Sequence, residues 1–171
     1  AQKIKSKLEE KNIRVKFDNR DKFKPGFKFH EYELKGVPLR IAIGPKDLEH
    51  ERVEIARRDI LTKSSVSQVE IVNYVEEQLQ EMQQALFDKA KRFREENITK
   101  VETFAEFQSV IKEKGGFISA HWDGTQESEE AIKKTTKATI RCIPLDAKEE
   151  VGSCVYSGKP SKMRVLFAKA Y

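Results

Sequence analysis

Glu33, Arg40, Lys46 and Asp47 are the residues of this chain best suited to chemistry with a partner. They fall at the ends of short strand-like runs and in turns, where a scaffold holds side chains outward. A carboxylate accepts hydrogen bonds from N1 and N2 of guanine, and an arginine offers a planar donor fork that also stacks on a base. Unpaired bases are read on their Watson–Crick edges and stacked on aromatic rings or guanidinium planes. Glu and Asp set among Lys and Arg therefore suit a guanine-bearing single-stranded loop. The same residue types also make a solvated cluster of surface ion pairs, and residue type alone leaves both readings open.

Other constellations fail on spacing. Gly158-Lys159-Pro160-Ser161 has Ser153 and Pro160 where a phosphate loop needs its first Gly and its Ser or Thr. Cys142 lies in an apolar run and reads as a small hydrophobe. His30, His50 and His121 are isolated from one another, and no nucleophile–base–acid set assembles, so a reading as an independent hydrolase lacks a catalytic set.

The elements that must position these residues are partly visible. Ile4 and Leu8, four apart, mark a helix that stops at Lys11-Asn12. Ile13-Arg14-Val15-Lys16-Phe17 alternates as a half-buried strand does. Phe27-Lys28-Phe29, Leu39–Ile43 and Val53–Arg58 are read as further strands around the turn at Pro25-Gly26 and the stop at Gly44-Pro45. Ser67-Gln68-Val69-Glu70 has the form of a capping box. Val69, Val72, Val75, Leu79, Met82, Leu86, Ala90 and Phe93 then form one apolar stripe, which predicts a long helix. The domain boundary is placed near Asn97, giving units of residues 1–97 and 98–171. In the second unit, Thr103-Phe104-Ala105-Glu106 predicts a helix ending at Gly115-Gly116. A strand over 117–122, a helix over 129–136 and strands over 138–143 and 164–168 follow. The expected architecture is α/β: a mixed-sheet domain, a long helix, and a small α+β domain.

Charged residues make up 36% and hydrophobic residues 38% of the 171, which describes a real core under a heavily solvated surface. The net charge of +5 and pI near 9.1 favour a polyanionic partner weakly. Two cysteines, no hydrophobic leader and no apolar run of about 18 residues give the expectation of a cytoplasmic protein with reduced thiols and no membrane partner.

The segment from Asp18 to Asp47 also resembles a known family. It runs Asp18-Asn19-Arg20-Asp21, Pro25-Gly26-Phe27-Lys28-Phe29, Glu31-Tyr32-Glu33-Leu34-Lys35-Gly36-Val37-Pro38 and Gly44-Pro45-Lys46-Asp47-Leu48. This is similar to the anticodon-binding domain of prolyl-tRNA synthetase of the archaeal/eukaryote-like type, with Asn19 in place of an Asp. The similarity continues through Thr135–Pro144 to Val165–Tyr171. It implies the mixed-sheet anticodon-binding fold of a class II synthetase, followed by that family's zinc-binding-like C-terminal domain. It also implies that Glu33, Arg40, Lys46 and Asp47 contact the two guanines of the tRNA-Pro anticodon or their neighbours, with Lys63 a further contact.

In this family zinc is often held by four cysteines at positions matching Asp123, Ser128, Cys154 and Ser157; only Cys154 is a thiol here, so no zinc is expected. Asp123 and Ser128 are expected to cap the helix from Glu129 instead, and a weaker metal set is His121, Asp123 and Cys154. The resemblance further implies an upstream class II catalytic domain carrying the ATP, Mg and proline sites, and a homodimeric parent. It implies a first sheet strand before Ala1, and a Tyr171 carboxylate that supports the parent's active site. Nothing in this chain matches the catalytic motifs, so by itself it is expected to be inactive. The alternative is a non-catalytic RNA-binding or dimerisation module without anticodon specificity.

Overall fold

The computed structural model describes residues 1–170, and the chain forms two compact units, Ala1–Asp88 and Lys89–Tyr171. The expected role of the Tyr171 carboxylate lies outside the described residues. In the first unit, α1 (Gln2–Glu10) buries Ile4 and Leu8. It ends where Asn12 takes a left-handed φ of 60°, a conformation Asn tolerates better than most residues.

Ile13 and Val15 then pack half-buried against the core, while Arg14 and Lys16 stay exposed. The alternation read at 13–17 holds in burial from Ile13 to Lys16 but breaks at Phe17, which is exposed, and the segment joins no ladder among the described residues. The strand read at Phe27–Phe29 is corrected: these residues lie in α2 (Pro25–Leu34), with Pro25 in the first turn. Proline's fixed φ and missing N–H suit that position, and Phe29 and Tyr32, three apart, share a face.

Next come β1 (Leu39–Ala42), α3 (Pro45–Glu49), β2 (Arg52–Arg57), β3 (Thr62–Ser67) and α4 (Ile71–Glu96). The strands form an antiparallel sheet in the order β1-β2-β3. Val53 and Ile55, two apart on β2, are buried with Val66, Ile71, Val75, Ile4 and Leu8. Fully burying a residue of this size contributes about 1.5–3 kcal/mol.

The capping box expected at Ser67 does not form. Ser67 ends β3, and its hydroxyl accepts from the Val69 amide at 3.3 Å. The sheet therefore claims the residue that the helix was expected to use, and Val69 stays 81% exposed outside the helix. On α4 the apolar stripe is buried at Val75 and Met82, and Ile71, outside the stripe as read, is buried with them. Every residue from 83 to 96 is exposed.

In the second unit, β4 (Ile98–Lys100) runs parallel to β5 (Phe117–His121), with α5 (Phe104–Glu113) between them. The box at Thr103 forms: its hydroxyl accepts from the Glu106 amide, while Glu106 accepts from the Thr103 amide. α6 (Gln126–Thr136), β6 (Ala138–Cys142), β7 (Gly152–Ser153), β8 (Pro160–Ser161) and β9 (Arg164–Lys169) follow. The mixed sheet has the order β4-β5-β9-β6, and Phe107, Ile118, Ile132, Val165 and Phe167 fill its core. No described helix is long and apolar enough to cross a membrane.

Candidate nucleic-acid interface

The strand register builds a cleft. Arg40 on β1 and Lys63 on β3 both pair with Ala56 on β2, so the two cations flank a methyl group on one face of the sheet. Phe29, Tyr32 and Glu33 of α2 close the opposite wall, around a volume of about 110 Å³. Of the five residues singled out from the sequence, the structure therefore gathers Glu33, Arg40 and Lys63.

Arg40 is held by a ring rather than by acceptors. Its guanidinium carbon sits 3.5 Å from the centroid of Phe29. Nε and Nη1 are buried without a hydrogen-bond partner, and Nη1 lies 3.8 Å from Glu54, beyond hydrogen-bond reach. An unpaired buried donor costs about 1–3 kcal/mol, so this fork is primed for an acceptor. Glu54, two residues before Ala56 on the same face of β2, accepts from Lys63 Nζ at 3.2 Å. Glu33 is exposed, with only His30 Nδ1 nearby at 3.3 Å. Acceptors from Glu33, donors from Arg40 and Lys63, and aromatic faces from α2 together fit the edge of a flat heterocycle.

Lys46 and Asp47 do not line this cleft. They sit in α3, where Asp47 Oδ2 accepts from the Gly44 amide at 2.7 Å. That carboxylate caps its own helix, and Lys46 is exposed beside it.

Sequence reading also missed residues that shape the site. Ala56 supplies the floor, Phe29 the platform under Arg40, and the β2–β3 turn a rim at Leu61, which has a left-handed φ of 55° and is 83% exposed. Arg57 fixes that turn. It donates to both oxygens of Asp59, to Gln78 at 2.9 Å and to Glu81 at 2.9 Å on α4. The Asp59 hydrogen bonds raise the Arg57 pKa above its ordinary value and hold the Asp59 carboxyl below its own. Strict alternation along Arg52–Arg57 was the available signal for Glu54 and Ala56.

The four positions matching a zinc site lie in the second unit, and their chemistry does not fit zinc. Asp123 Oδ1 accepts from Ser128 Oγ at 2.6 Å, Thr125 Oγ1 at 2.8 Å and the Thr125 amide at 3.1 Å. Oδ2 accepts from Ser157 Oγ at 2.5 Å. Burial alone would raise the Asp123 pKa, but the bonds from Ser128, Ser157 and Thr125 outweigh it and hold the carboxyl well below the usual range. A carboxylate so engaged, two hydroxyls and the lone buried thiol of Cys154 are not four metal ligands.

The helix cap is also corrected. α6 begins at Gln126 with Thr125 as its cap, accepting from the Ser128 amide, while Asp123 braces Thr125 from outside. His121, weighed with Asp123 and Cys154 as a weaker metal set, instead meets Ser161 Oγ at 3.1 Å and Glu150 at 3.7 Å. No group of three His, Cys, Asp or Glu is placed to hold a metal among the described residues.

Comparison with known proteins bears on both units. Residues 1–78 match the family model described as anticodon binding domain. Residues 104–171 match the model described as prolyl-tRNA synthetase, C-terminal. A proline–tRNA ligase of Christiangramia forsetii is 58% identical over 171 residues, covering all of this chain and 35% of that protein. That of Flavobacterium psychrophilum is 61% identical over 166 residues, 97% of this chain and 34% of the relative, and one from Porphyromonas gingivalis is 53% identical over 171. The chain spans about a third of the length of the curated relatives it matches. Across its whole length, then, this chain is similar to a portion of proline–tRNA ligase made of an anticodon-binding domain and a prolyl-tRNA synthetase C-terminal domain.

Proposed function

We propose that this chain reads the anticodon of tRNA-Pro on behalf of a proline–tRNA ligase. The observation that carries the reading is the convergence of Glu33, Arg40 and Lys63 on one cleft from three separate elements. A guanine of the anticodon loop, splayed from its stack, offers N1–H and N2–H to Glu33. Arg40, stacked on Phe29 with unpaired donors, addresses O6 and N7, and Lys63 faces the same base or its phosphate. Each good contact of this kind discriminates by about 1–3 kcal/mol. Lys46 remains an exposed cation for the neighbouring backbone, and Asp47 acts through α3.

We assign residues 1–97 to the anticodon-binding domain and 98–171 to the C-terminal domain, within a parent of the archaeal/eukaryote-like type. The second domain after the anticodon reader, and the likeness to proline–tRNA ligases, support that parentage. In the parent, an upstream class II catalytic domain joins proline to tRNA through a prolyl-adenylate, using ATP and Mg. The parent works as a cytoplasmic homodimer.

The second reading is a non-catalytic RNA-binding or dimerisation module without anticodon specificity, which draws on the net charge of +5. One comparison separates the two. Binding of the chain to tRNA-Pro is measured beside the same tRNA with both anticodon guanines replaced, at one salt concentration. A loss above about tenfold, or 1.4 kcal/mol, is expected of an anticodon reader. Equal binding overturns that reading and leaves the charge-driven one.

A further inference from the structure

The charge excess of this chain is confined to its beginning. Residues 1–35 hold eleven Lys and Arg against six Asp and Glu, whereas residues 36–171 hold 22 of each. The whole net charge of +5 therefore belongs to the first fifth of the sequence.

Within that stretch the structure sorts the cations into two sets. Arg20 is spent internally: it donates to both oxygens of Asp18 and to Glu31. Lys28 lies 3.7 Å from Asp18, and Lys35 donates to Glu31. These bonds neutralise both carboxylates that face the hollow between residues 16–20 and α2, a space of about 190 Å³. Arg14, Lys16, Lys22 and Lys24 are exposed, and none has a carboxylate within 4 Å among the described residues. Ile13 and Val15 pack on the core, so alternation turns Arg14 and Lys16 outward together. Lys22 rests over the ring of Phe23 at 5.2 Å.

Position gives these cations a use. Tyr32 lines both this hollow and the base-reading cleft, so the two sites adjoin across α2. A nucleotide whose base enters the cleft carries its phosphates with it. Arg58, exposed, lines the cleft itself, and Lys16 lines the adjoining hollow, continuing the unpaired positive charge towards Arg14, Lys22 and Lys24.

Resting on the anticodon reading above, we infer that Arg14, Lys16, Lys22 and Lys24 form a track for the phosphodiester backbone of the bound RNA. The track contributes affinity without sequence preference, while Glu33 and Arg40 discriminate. Cations that neutralise phosphates release counterions, so binding weakens with salt by a log–log slope of about 0.7–0.9 per phosphate contact. Four contacts make a slope of about 3, or about fifty-fold in affinity over a fourfold change of salt.

The test titrates tRNA-Pro binding against salt for the parent chain and for the variant R14S/K16S/K22S/K24S. A control, K133S/K148S/K159S/K162S, removes the same charge from exposed positions of the second unit. The track variant is expected to lose about 3 from the slope and to weaken equally on tRNA-Pro and on the tRNA with its anticodon guanines replaced. The control is expected to keep the parent's slope. An unchanged slope in the track variant overturns the inference, as does an equal loss in the control. If the track variant unfolds, K22S/K24S, confined to the turn before α2, is expected to lose about half as much, and no loss there is equally fatal. Vesicles of phosphatidylserine and phosphatidylcholine provide the remaining arm: vesicle binding lost in the track variant while its tRNA slope is unchanged assigns the strip to a membrane surface instead. Failure of the anticodon reading is seen separately, as equal binding of the two tRNAs by the parent chain.

Discussion

Asp123→Ala is the most informative single substitution in the second unit. The carboxylate accepts from Ser128, Ser157, and both the hydroxyl and amide of Thr125. Hydrogen bonds to a charged acceptor contribute about 1.5–3 kcal/mol each when taken singly, but these do not add. Ser157 and Thr125 are near enough to the surface to turn to water, and Ser128, 3% exposed, keeps the Thr125 carbonyl at 3.0 Å. The net cost expected is therefore about 2–3 kcal/mol, the loss of one charge-assisted bond plus a loosened helix cap.

The chain holds one tryptophan, and Trp122 Nε1 donates to Ser128 Oγ at 3.0 Å. Urea unfolding followed by tryptophan fluorescence thus reports directly on this cluster. The pH dependence has a fixed sign. The folded carboxyl titrates well below its unfolded value of about 3.9. Its contribution is complete above that value and is lost as pH falls towards the folded pKa. Asp123→Asn should flatten the loss of stability seen below about pH 4. A cost under about 1 kcal/mol for the alanine variant, or an unchanged acid profile for the asparagine variant, refutes the account of the cluster.

Three further outcomes follow from the same geometry. Gly152→Ala drives a Cβ into His121 Nε2, against a buried ring bonded to Ser161, and is expected to cost about 1–3 kcal/mol by the same fluorescence assay. Arg40→Ala should reduce discrimination between tRNA-Pro and its guanine-replaced form by about 1–3 kcal/mol while leaving the salt slope nearly intact. Arg40→Lys should not restore it, because an ammonium offers neither the fork nor the flat face on Phe29. D123C/S128C/S157C, with Cys154, supplies four thiolates; cobalt(II) should then give charge-transfer absorption and zinc should raise stability, whereas the parent chain should show neither response.

How much of this was legible in the sequence differs by element. The box at Thr103 could be read because both of its bonds are local, three residues apart. The similar pattern at Ser67 failed because β3 pairs Ser67 with Arg52, a partner fifteen residues away that local spacing does not show. Phe27 and Phe29 suggested a strand by their two-residue period, yet Pro25 at a helix start outweighed it. The cleft was half visible: Glu33 and Arg40 announced themselves by type and turn position. Ala56 and Glu54 had only the alternation of β2 to mark their shared face, and the register between β1, β2 and β3 is what sets them beside Arg40 and Lys63. Asp47 looked like a reader by type, and the bond it accepts from the Gly44 amide at the start of α3 is a local one that residue type does not announce. The degenerate zinc positions showed that ligands were missing, but not that a carboxylate would collect the hydroxyls.

The long helix α4 has a consequence for the exchange of its backbone amides with solvent. Its turns from Ile71 to Met82 are pinned by buried side chains, so their hydrogen bonds should open only when the first unit's core comes apart. From residue 83 to 96 every side chain is exposed, including Leu86, Phe87 and Phe93. There the helix's own bonds, pairs such as Gln84 to Asp88, 2.9 Å apart, and a bond from Lys114 Nζ to the Glu96 carbonyl at the very end are what resist opening. Isolated helical turns of that length are marginal in water, and protection follows the free energy of the smallest opening that frees an amide. Deuterium should therefore enter α4 in two steps, rapidly beyond Met82 and slowly before it, although neither proline nor glycine interrupts the helix between them.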